Sequence, residues 1–89
     1  MVDADIARTG LAQAVARFPD AADRLRGMAL ADPAFREVCE DYALARESLA
    51  RFEARPDAAE RPEVGDFLSV IAELEGEIDR MLKAAGPKA

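Results

Sequence analysis

The sequence contains no histidine, no tryptophan and a single cysteine, Cys39, in 89 residues. Histidine is the most common metal ligand in proteins and the side chain best suited to moving protons near neutral pH. Its absence excludes the glutamate–histidine di-metal sites that many helical bundles carry. One cysteine cannot form an internal disulfide, which fits a reducing compartment such as the cytoplasm. We expect a non-enzymatic, cytoplasmic protein with no catalytic residue, no cofactor and no metal.

Basic residues are also scarce. The 12 lysines and arginines are outnumbered by 18 aspartates and glutamates, which gives a net charge of −6. Nucleic-acid phosphates and anionic lipid surfaces attract clustered positive charge, so we expect this protein to bind neither. The longest stretch without a charged residue, Thr9 to Ala16, has eight residues and is too short to cross a membrane. Asp3 and Asp5 stand where a secretory signal has basic residues, so no signal peptide is expected.

Apolar residues make up 51% of the chain, but 20 of them are alanine. About two dozen large apolar side chains remain, enough for the thin core of one small domain spanning residues 1–89. Alanine, leucine, arginine and glutamate, all good helix formers, dominate between the prolines. No segment alternates between apolar and polar residues as a half-buried strand does. The sequence therefore predicts an all-α protein.

Prolines mark the expected helix boundaries, because proline disfavours the α conformation in the preceding residue and is tolerated in a first helical turn. Asp32 followed by Pro33 matches a helix start, with the aspartate as N-cap. Gly86 followed by Pro87 matches a helix end. The prediction has leading short helices in 1–31, a first long helix in 33–55, a loop in 56–62 and a second long helix in 63–85.

Apolar residues recur every seven positions in both long helices. The first helix has two such rows, Phe35, Tyr42 and Leu49 in one and Val38, Ala45 and Phe52 in the other. The second helix continues them with Val64, Ile71, Ile78 and Ala85 in one row and Phe67, Leu74 and Met81 in the other. This spacing indicates coiled-coil-like packing. Because the connecting loop is short, we predict a long antiparallel helical hairpin.

The first 31 residues are less regular. Two apolar faces can be drawn in them, Ile6, Leu11, Val15 and Phe18 on one helix and Leu25, Met28 and Ala29 on the next. Gly10 should weaken the first of these helices by about 1 kcal/mol relative to alanine. We expect both segments to bury their apolar faces against the hairpin. Leu44 and Val70 fall outside the heptad rows and are the predicted points of that contact.

From Phe18 onward the sequence resembles the YdcH-like family of short α-helical hairpins, which are small bacterial proteins. The family opens on Phe-Pro-acidic, continues with an apolar helical turn, and places Pro-x-Phe before a long helix. The matching segments are Phe18-Pro19-Asp20, Leu25 with Met28, and Pro33-Ala34-Phe35, and the inward positions are then held by Val38, Cys39, Tyr42, Ala45 and Leu49. The resemblance covers about residues 18–52. It implies two long antiparallel helices behind a short leading one, and it implies no activity.

Several polar side chains of the first long helix have both a chemical and a structural interpretation. Glu37, Glu40 and Asp41 could form an all-carboxylate site, but their helical positions favour a solvated acidic face. Cys39 could be a nucleophile, but a thiolate needs a nearby base or positive charge, and its following neighbours are acidic. We interpret Cys39 as a small packed residue. Tyr42 should lie in the seam, with its hydroxyl reaching solvent.

The last helix holds the most acidic run of the chain, Glu73, Glu75, Glu77 and Asp79. Its structural interpretation is a solubilising exterior, on which Glu75→Ala would change the free energy of unfolding by less than about 0.5 kcal/mol. Its functional interpretation is a docking surface for a basic partner.

Two helices alone bury little surface, and marginal domains of this size often associate. The sequence therefore predicts a structural or interaction protein that self-associates through helix faces, as a dimer completing a four-helix arrangement. The alternative is a small acidic regulatory or adaptor subunit that binds a larger protein with a basic surface. The predicted interaction surface consists of five residues, Leu44, Val70, Glu73, Glu77 and Leu82.

Overall fold

The computed structural model describes the backbone of residues 2–86 and the side chains of residues 5–86. Within residues 2–86, four α-helices follow one another: α1, Val2–Arg17; α2, Ala22–Ala31; α3, Pro33–Glu53; and α4, Pro62–Ala85. Two short 3₁₀ helices, Pro19–Ala21 and Ala58–Glu60, lie between α1 and α2 and between α3 and α4. Residues 2–86 contain no strand, which confirms the all-α prediction.

The start of α3 follows from its capping residues. The Asp32 side chain accepts a hydrogen bond from the Ala34 backbone N–H at 3.0 Å, and Pro33 occupies the first helical position. The cap satisfies an N–H group that the first turn leaves without an intrahelical partner. The predicted N-cap is therefore confirmed, while the helix stops at Glu53, two residues before its predicted end.

The end of α4 depends on glycine. Gly86 adopts φ 78°, a backbone conformation that other residues rarely adopt, and its N–H donates to the Leu82 carbonyl at 3.2 Å. Gly86 thus ends the helix as predicted. Pro87, the other half of the predicted stop signal, lies outside the described residues.

Helices α3 and α4 pack against each other as an antiparallel hairpin. Near the loop, the Phe52 and Phe67 rings stack with their centroids 5.8 Å apart. Farther from the loop, the Tyr42 hydroxyl donates to the Glu75 carboxylate at 2.8 Å. Earlier residues of α3 therefore meet later residues of α4. The residues of the predicted heptad rows are buried or half-buried except Ala85, which is exposed. The most enclosed members are Phe35, Tyr42, Ala45, Ile71 and Ile78.

Helix α1 packs against α3 at very short range. Ala14 of α1 is completely buried, and Cys39 and Ala43 of α3 are nearly so. Gly10 lies directly on the Cys39 backbone, where an added Cβ would sit 2.5 Å from the carbonyl carbon and closer still to the oxygen. Small side chains on both helices permit this approach, since the distance between packed helices is set by the residues at their contact.

One expectation for the N-terminal segment is wrong. α1 packs on Cys39, whereas Leu44 and Val70, its predicted contacts, are exposed. Gly10 also has a packing role that the sequence did not indicate, because the close contact with α3 leaves no room for any larger residue. The cost of glycine to the helix is offset by the packing that it permits.

Helix α2 packs against both α1 and α3. Its Leu25 is completely buried, and Met28 and Ala29 pack against the same core. The Arg36 guanidinium of α3 donates to the Ala29 carbonyl at 2.7 Å, which satisfies a backbone oxygen in the last turn of α2. The three apolar residues predicted for this helix thus form its inward face.

Candidate interaction surface

An apolar groove lies between α3 and α4. It encloses 290 Å³, with Leu44, Phe67, Val70 and Leu74 supplying most of its lining and Asp41 and Ser48 its polar edge. Leu44 is 46% exposed and Val70 is 41% exposed, while Phe67 and Leu74 are half-buried. The groove therefore exposes apolar side chains that no other part of residues 5–86 covers.

Helix geometry explains why the groove stays open. Leu44 precedes the seam residue Ala45, and Val70 precedes the buried Ile71, so both lie just outside the hairpin seam. At 100° per residue, Leu44 is rotated by about 140° around α3 from Cys39, which contacts α1. α1 consequently covers a different side of α3 and leaves the groove unoccupied.

Leu82 does not belong to this surface, and its prediction as an exposed residue is wrong. It is only 5% exposed and is part of the hydrophobic core. Ala21, from the segment between α1 and α2, belongs to the same core cluster as Leu82, and Phe18 packs against that cluster. The N-terminal segment therefore covers Leu82, which the heptad pattern of the hairpin alone could not show.

The two glutamates of the predicted surface follow Val70 on the same stripe of α4. Glu73 and Glu77 come three and seven residues after Val70, spacings that place side chains on one helix face. Glu73 is exposed, whereas Glu77 is half-buried and forms an ion pair with Arg80 at 2.7 Å. Four of the five predicted surface residues thus lie on one side of the hairpin, and the buried leucine does not.

Two other leucines are strongly exposed. Leu30, in the last turn of α2, is 86% exposed, and Leu68 of α4 is 51% exposed. Leu68 is rotated by about 160° around α4 from Val70, and Leu30 is on another helix, so neither lines the groove. The heptad pattern did not single out Leu30 because that residue lies outside the hairpin. Leu30 borders a separate pocket with Leu11 and Ala29, so it provides an exposed leucine outside the α3–α4 groove as a control position.

Glu75 is not exposed, although its position in the acidic run predicts an exposed side chain. Its Oε2 atom accepts a hydrogen bond from the Tyr42 hydroxyl at 2.8 Å, and its Oε1 atom accepts one from Arg17 Nε at 3.3 Å. The carboxylate therefore links α1, α3 and α4, with its side chain 21% exposed. Tyr42 is completely buried, so the prediction that its hydroxyl reaches solvent is also wrong. Burial, together with the hydrogen bond to Glu75, raises the pKa of Tyr42.

Cys39 is a packed residue, as the sequence indicated. It is 1% exposed and lies in the core at the α1–α3 contact. Burial raises the pKa of its thiol to about 11, and the negative charge of Glu40 acts in the same direction. The side chain is therefore protonated at neutral pH, and nucleophilic chemistry requires the thiolate.

The basic residues of the α3–α4 loop are engaged in local ion pairs. Arg55 pairs with Asp57 at 2.9 Å, and Arg61 pairs with Glu63 at 2.9 Å while lying over the Phe52 ring. The hydrogen bond from Arg55 holds the pKa of the Asp57 carboxyl below its usual range. These contacts shape the loop and neutralise its positive charges, so the loop presents little unpaired basic surface to the neighbouring groove.

The described part of the chain contains neither a group of metal-ligating side chains nor a helix able to cross a membrane. No three side chains among its cysteine, aspartate and glutamate residues are grouped as metal ligands, so Glu37, Glu40 and Asp41 do not come together as the all-carboxylate site considered above. None of helices α1 to α4, within residues 2–86, combines the length and the apolar character needed to cross a bilayer.

No protein-family model, curated protein or solved structure matches this chain. The helical hairpin that the resemblance implies is present as α3 and α4. Membership of the YdcH-like family itself stays a prediction based on Phe18-Pro19-Asp20 and Pro33-Ala34-Phe35.

Proposed function

We propose that this protein is a non-enzymatic interaction protein that binds another protein chain through the α3–α4 groove. The observation that supports the proposal is the exposed pair Leu44 and Val70, each more than 40% exposed beside the half-buried Phe67 and Leu74. Two packed helices offer such a groove to a third helix, whose apolar ridge fills it. Binding would remove these apolar surfaces from water, at about 25 cal/mol for each Å² buried.

A second copy of this chain is one candidate for the bound protein. A thin core favours association, and joining two hairpins through Leu44 and Val70 would give the four-helix arrangement expected from the sequence. A cytoplasmic location belongs to the same proposal, because the single cysteine requires no oxidising compartment.

The proposal is tested by comparing Leu44→Lys with Leu30→Lys. Both changes place the same charge on an exposed leucine, but only the first lies in the groove. Sedimentation over a wide concentration range measures self-association. Co-purification of the tagged protein from its native lysate, followed by quantification of bound species, measures binding to other proteins. We expect a stoichiometric partner, whether a second copy or another protein, that is lost from Leu44→Lys and kept by Leu30→Lys.

Two results would contradict the proposal. One is a monomer that recovers no stoichiometric partner at any salt concentration. The other is a partner that both variants, Leu44→Lys and Leu30→Lys, retain or lose equally, because the groove would then have no part in binding. Circular dichroism of each variant first establishes that its helices are intact.

A further inference from the structure

Four acidic side chains border the groove. Three acidic side chains of α3 share the Leu44 side of the helix: Glu37 lies seven residues before Leu44, Glu40 four, and Asp41 three. Glu73 lies three residues beyond Val70 on α4. None of these four carboxylates has a basic side chain within ion-pair distance in residues 5–86. The apolar groove is therefore bordered on both helices by acidic residues without basic neighbours.

The basic residues on the same stripes are already neutralised. Arg51, seven residues beyond Leu44, pairs with Glu47 at 2.8 Å. Arg80 pairs with Glu77 at 2.7 Å. A second copy joined groove to groove would therefore bring its own acidic border, while its Arg51 and Arg80 are already paired with their own acidic neighbours. Like charges placed together across an interface weaken binding, so the charge pattern disfavours a second copy as the occupant.

We infer that the groove binds a basic amphipathic helix of another protein, an inference that rests on the proposed function. Apolar residues spaced at i, i+3 or i+4, and i+7 on that helix would pack between Leu44 and Val70. Lysine or arginine residues on its two flanks would meet Glu37 and Asp41 on one side and Glu73 on the other. The apolar ridge provides affinity, and the flanking charges provide orientation and a fast, salt-dependent association.

The inference is tested with a defined probe, a helical peptide of about 20 residues, long enough to extend ~30 Å, with leucines on one face and lysines on the flanks. Isothermal titration calorimetry measures its dissociation constant for the full-length protein at about 50 mM and about 500 mM salt. We expect binding at low salt that weakens at least about tenfold at high salt, because screening acts on the exposed charge pairs. A peptide with the same leucines and glutamates in place of the lysines should not bind.

Matched variants locate the site. Leu44→Lys should weaken peptide binding at least about tenfold, since it places charge in the apolar contact, whereas Leu30→Lys should leave it within about twofold. Glu73→Gln removes one border charge from an exposed side chain and should weaken binding and reduce its salt dependence. Glu60→Gln removes the same charge from the loop, outside the groove, and is its control.

The outcomes separate this inference from the proposed function. Groove-dependent binding to a second copy or to a native partner, without binding of the basic peptide, overturns the inference and leaves the proposed function intact. Equal weakening by Leu44→Lys and Leu30→Lys also overturns it, because net charge alone would then account for the affinity. If neither the peptide nor any protein depends on Leu44, both the inference and the proposed function fail. Glu73→Gln keeps the test decisive if Leu44→Lys does not fold.

Discussion

Replacing Gly10 with alanine should destabilise this protein, although alanine is the better helix former. A Cβ at this position would lie 2.5 Å from the Cys39 carbonyl carbon, and Cβ atoms essentially never approach other heavy atoms within 3.0 Å. The obstacle is backbone in the middle of α3, so no side-chain rotation can relieve the contact. To clear the Cys39 oxygen, α1 would have to move away from α3 by more than about 1 Å, which loosens the packing of the completely buried Ala14.

The two opposing effects can be compared in magnitude. Alanine would improve the helix propensity of α1 by about 1 kcal/mol. Overpacking a close contact costs about 1–3 kcal/mol, and contact with rigid backbone belongs at the upper end of that range. Gly10→Ala should therefore lower the free energy of unfolding by about 1–2 kcal/mol, which corresponds to a decrease in Tm of roughly 5–15 °C for a domain of this size.

Two other glycines supply controls for Gly10→Ala. An added Cβ at Gly27 in α2 or at Gly65 in α4 would meet nothing within 4 Å, so alanine there should raise stability by up to about 1 kcal/mol. Urea and thermal unfolding followed by circular dichroism measure all three variants. If Gly10→Ala is stabilised as much as Gly27→Ala, α1 does not pack on the Cys39 backbone and the described α1–α3 contact is wrong.

Three further predictions follow from buried and capping side chains. Glu75→Ala should lower the free energy of unfolding, measured in urea, by about 2–3 kcal/mol, because it leaves the buried Tyr42 hydroxyl without its hydrogen-bond partner. A loss below about 0.5 kcal/mol would show that Glu75 is an ordinary solvated surface residue. The Cys39 thiol should resist a disulfide reagent at pH 8 in the folded protein and react in urea. In the folded protein the pKa of Cys39 is about 11, above the ordinary value of 9.0. The stability that comes from keeping this thiol protonated is therefore complete below pH 9 and is lost as the pH rises towards 11. A free energy of unfolding that does not change between pH 9 and pH 11 would contradict the raised pKa. Asp32→Ala should cost about 1 kcal/mol by removing the cap on the Ala34 N–H, and an unchanged urea midpoint would show that the cap adds nothing.

The parts of the fold that sequence reasoning predicted are those specified by local chemistry or by a long repeat. Asp32 and Pro33 define the start of α3 through capping and a fixed φ, both properties of adjacent residues. Ile71 and Ile78 were assigned to the core because the seven-residue period extends through both long helices.

The parts that it missed depend on contacts between segments distant in sequence. From the sequence alone, Gly10 only weakens its helix. Its packing role depends on the contact with Cys39 of α3. Glu75 lies in an acidic run, and nothing local distinguishes it from Glu73; its role comes from Tyr42, 33 residues away. Leu82 packs in one core cluster with Ala21 and Leu25 of the N-terminal segment, and the seven-residue period of the hairpin does not predict where that segment lies.

The candidate surface was partly predictable for the same reason. Leu44 and Val70 could be recognised because large apolar residues outside a heptad seam have no partner within the hairpin. The sequence does not show that the two residues line one groove that α1 leaves uncovered, because this depends on where α1 packs on α3.

The central claim is that the groove beside Leu44 is where this protein recognises a basic helix. Titrating the isotopically labelled protein with the leucine–lysine peptide, and following each backbone amide by nuclear magnetic resonance, tests it most directly. We predict that the largest shift changes cluster on the groove residues of α3 and α4, around Leu44 and Val70, and spare the region around Leu30. Shift changes centred on α1 or α2, or spread over all acidic residues alike, would contradict the claim.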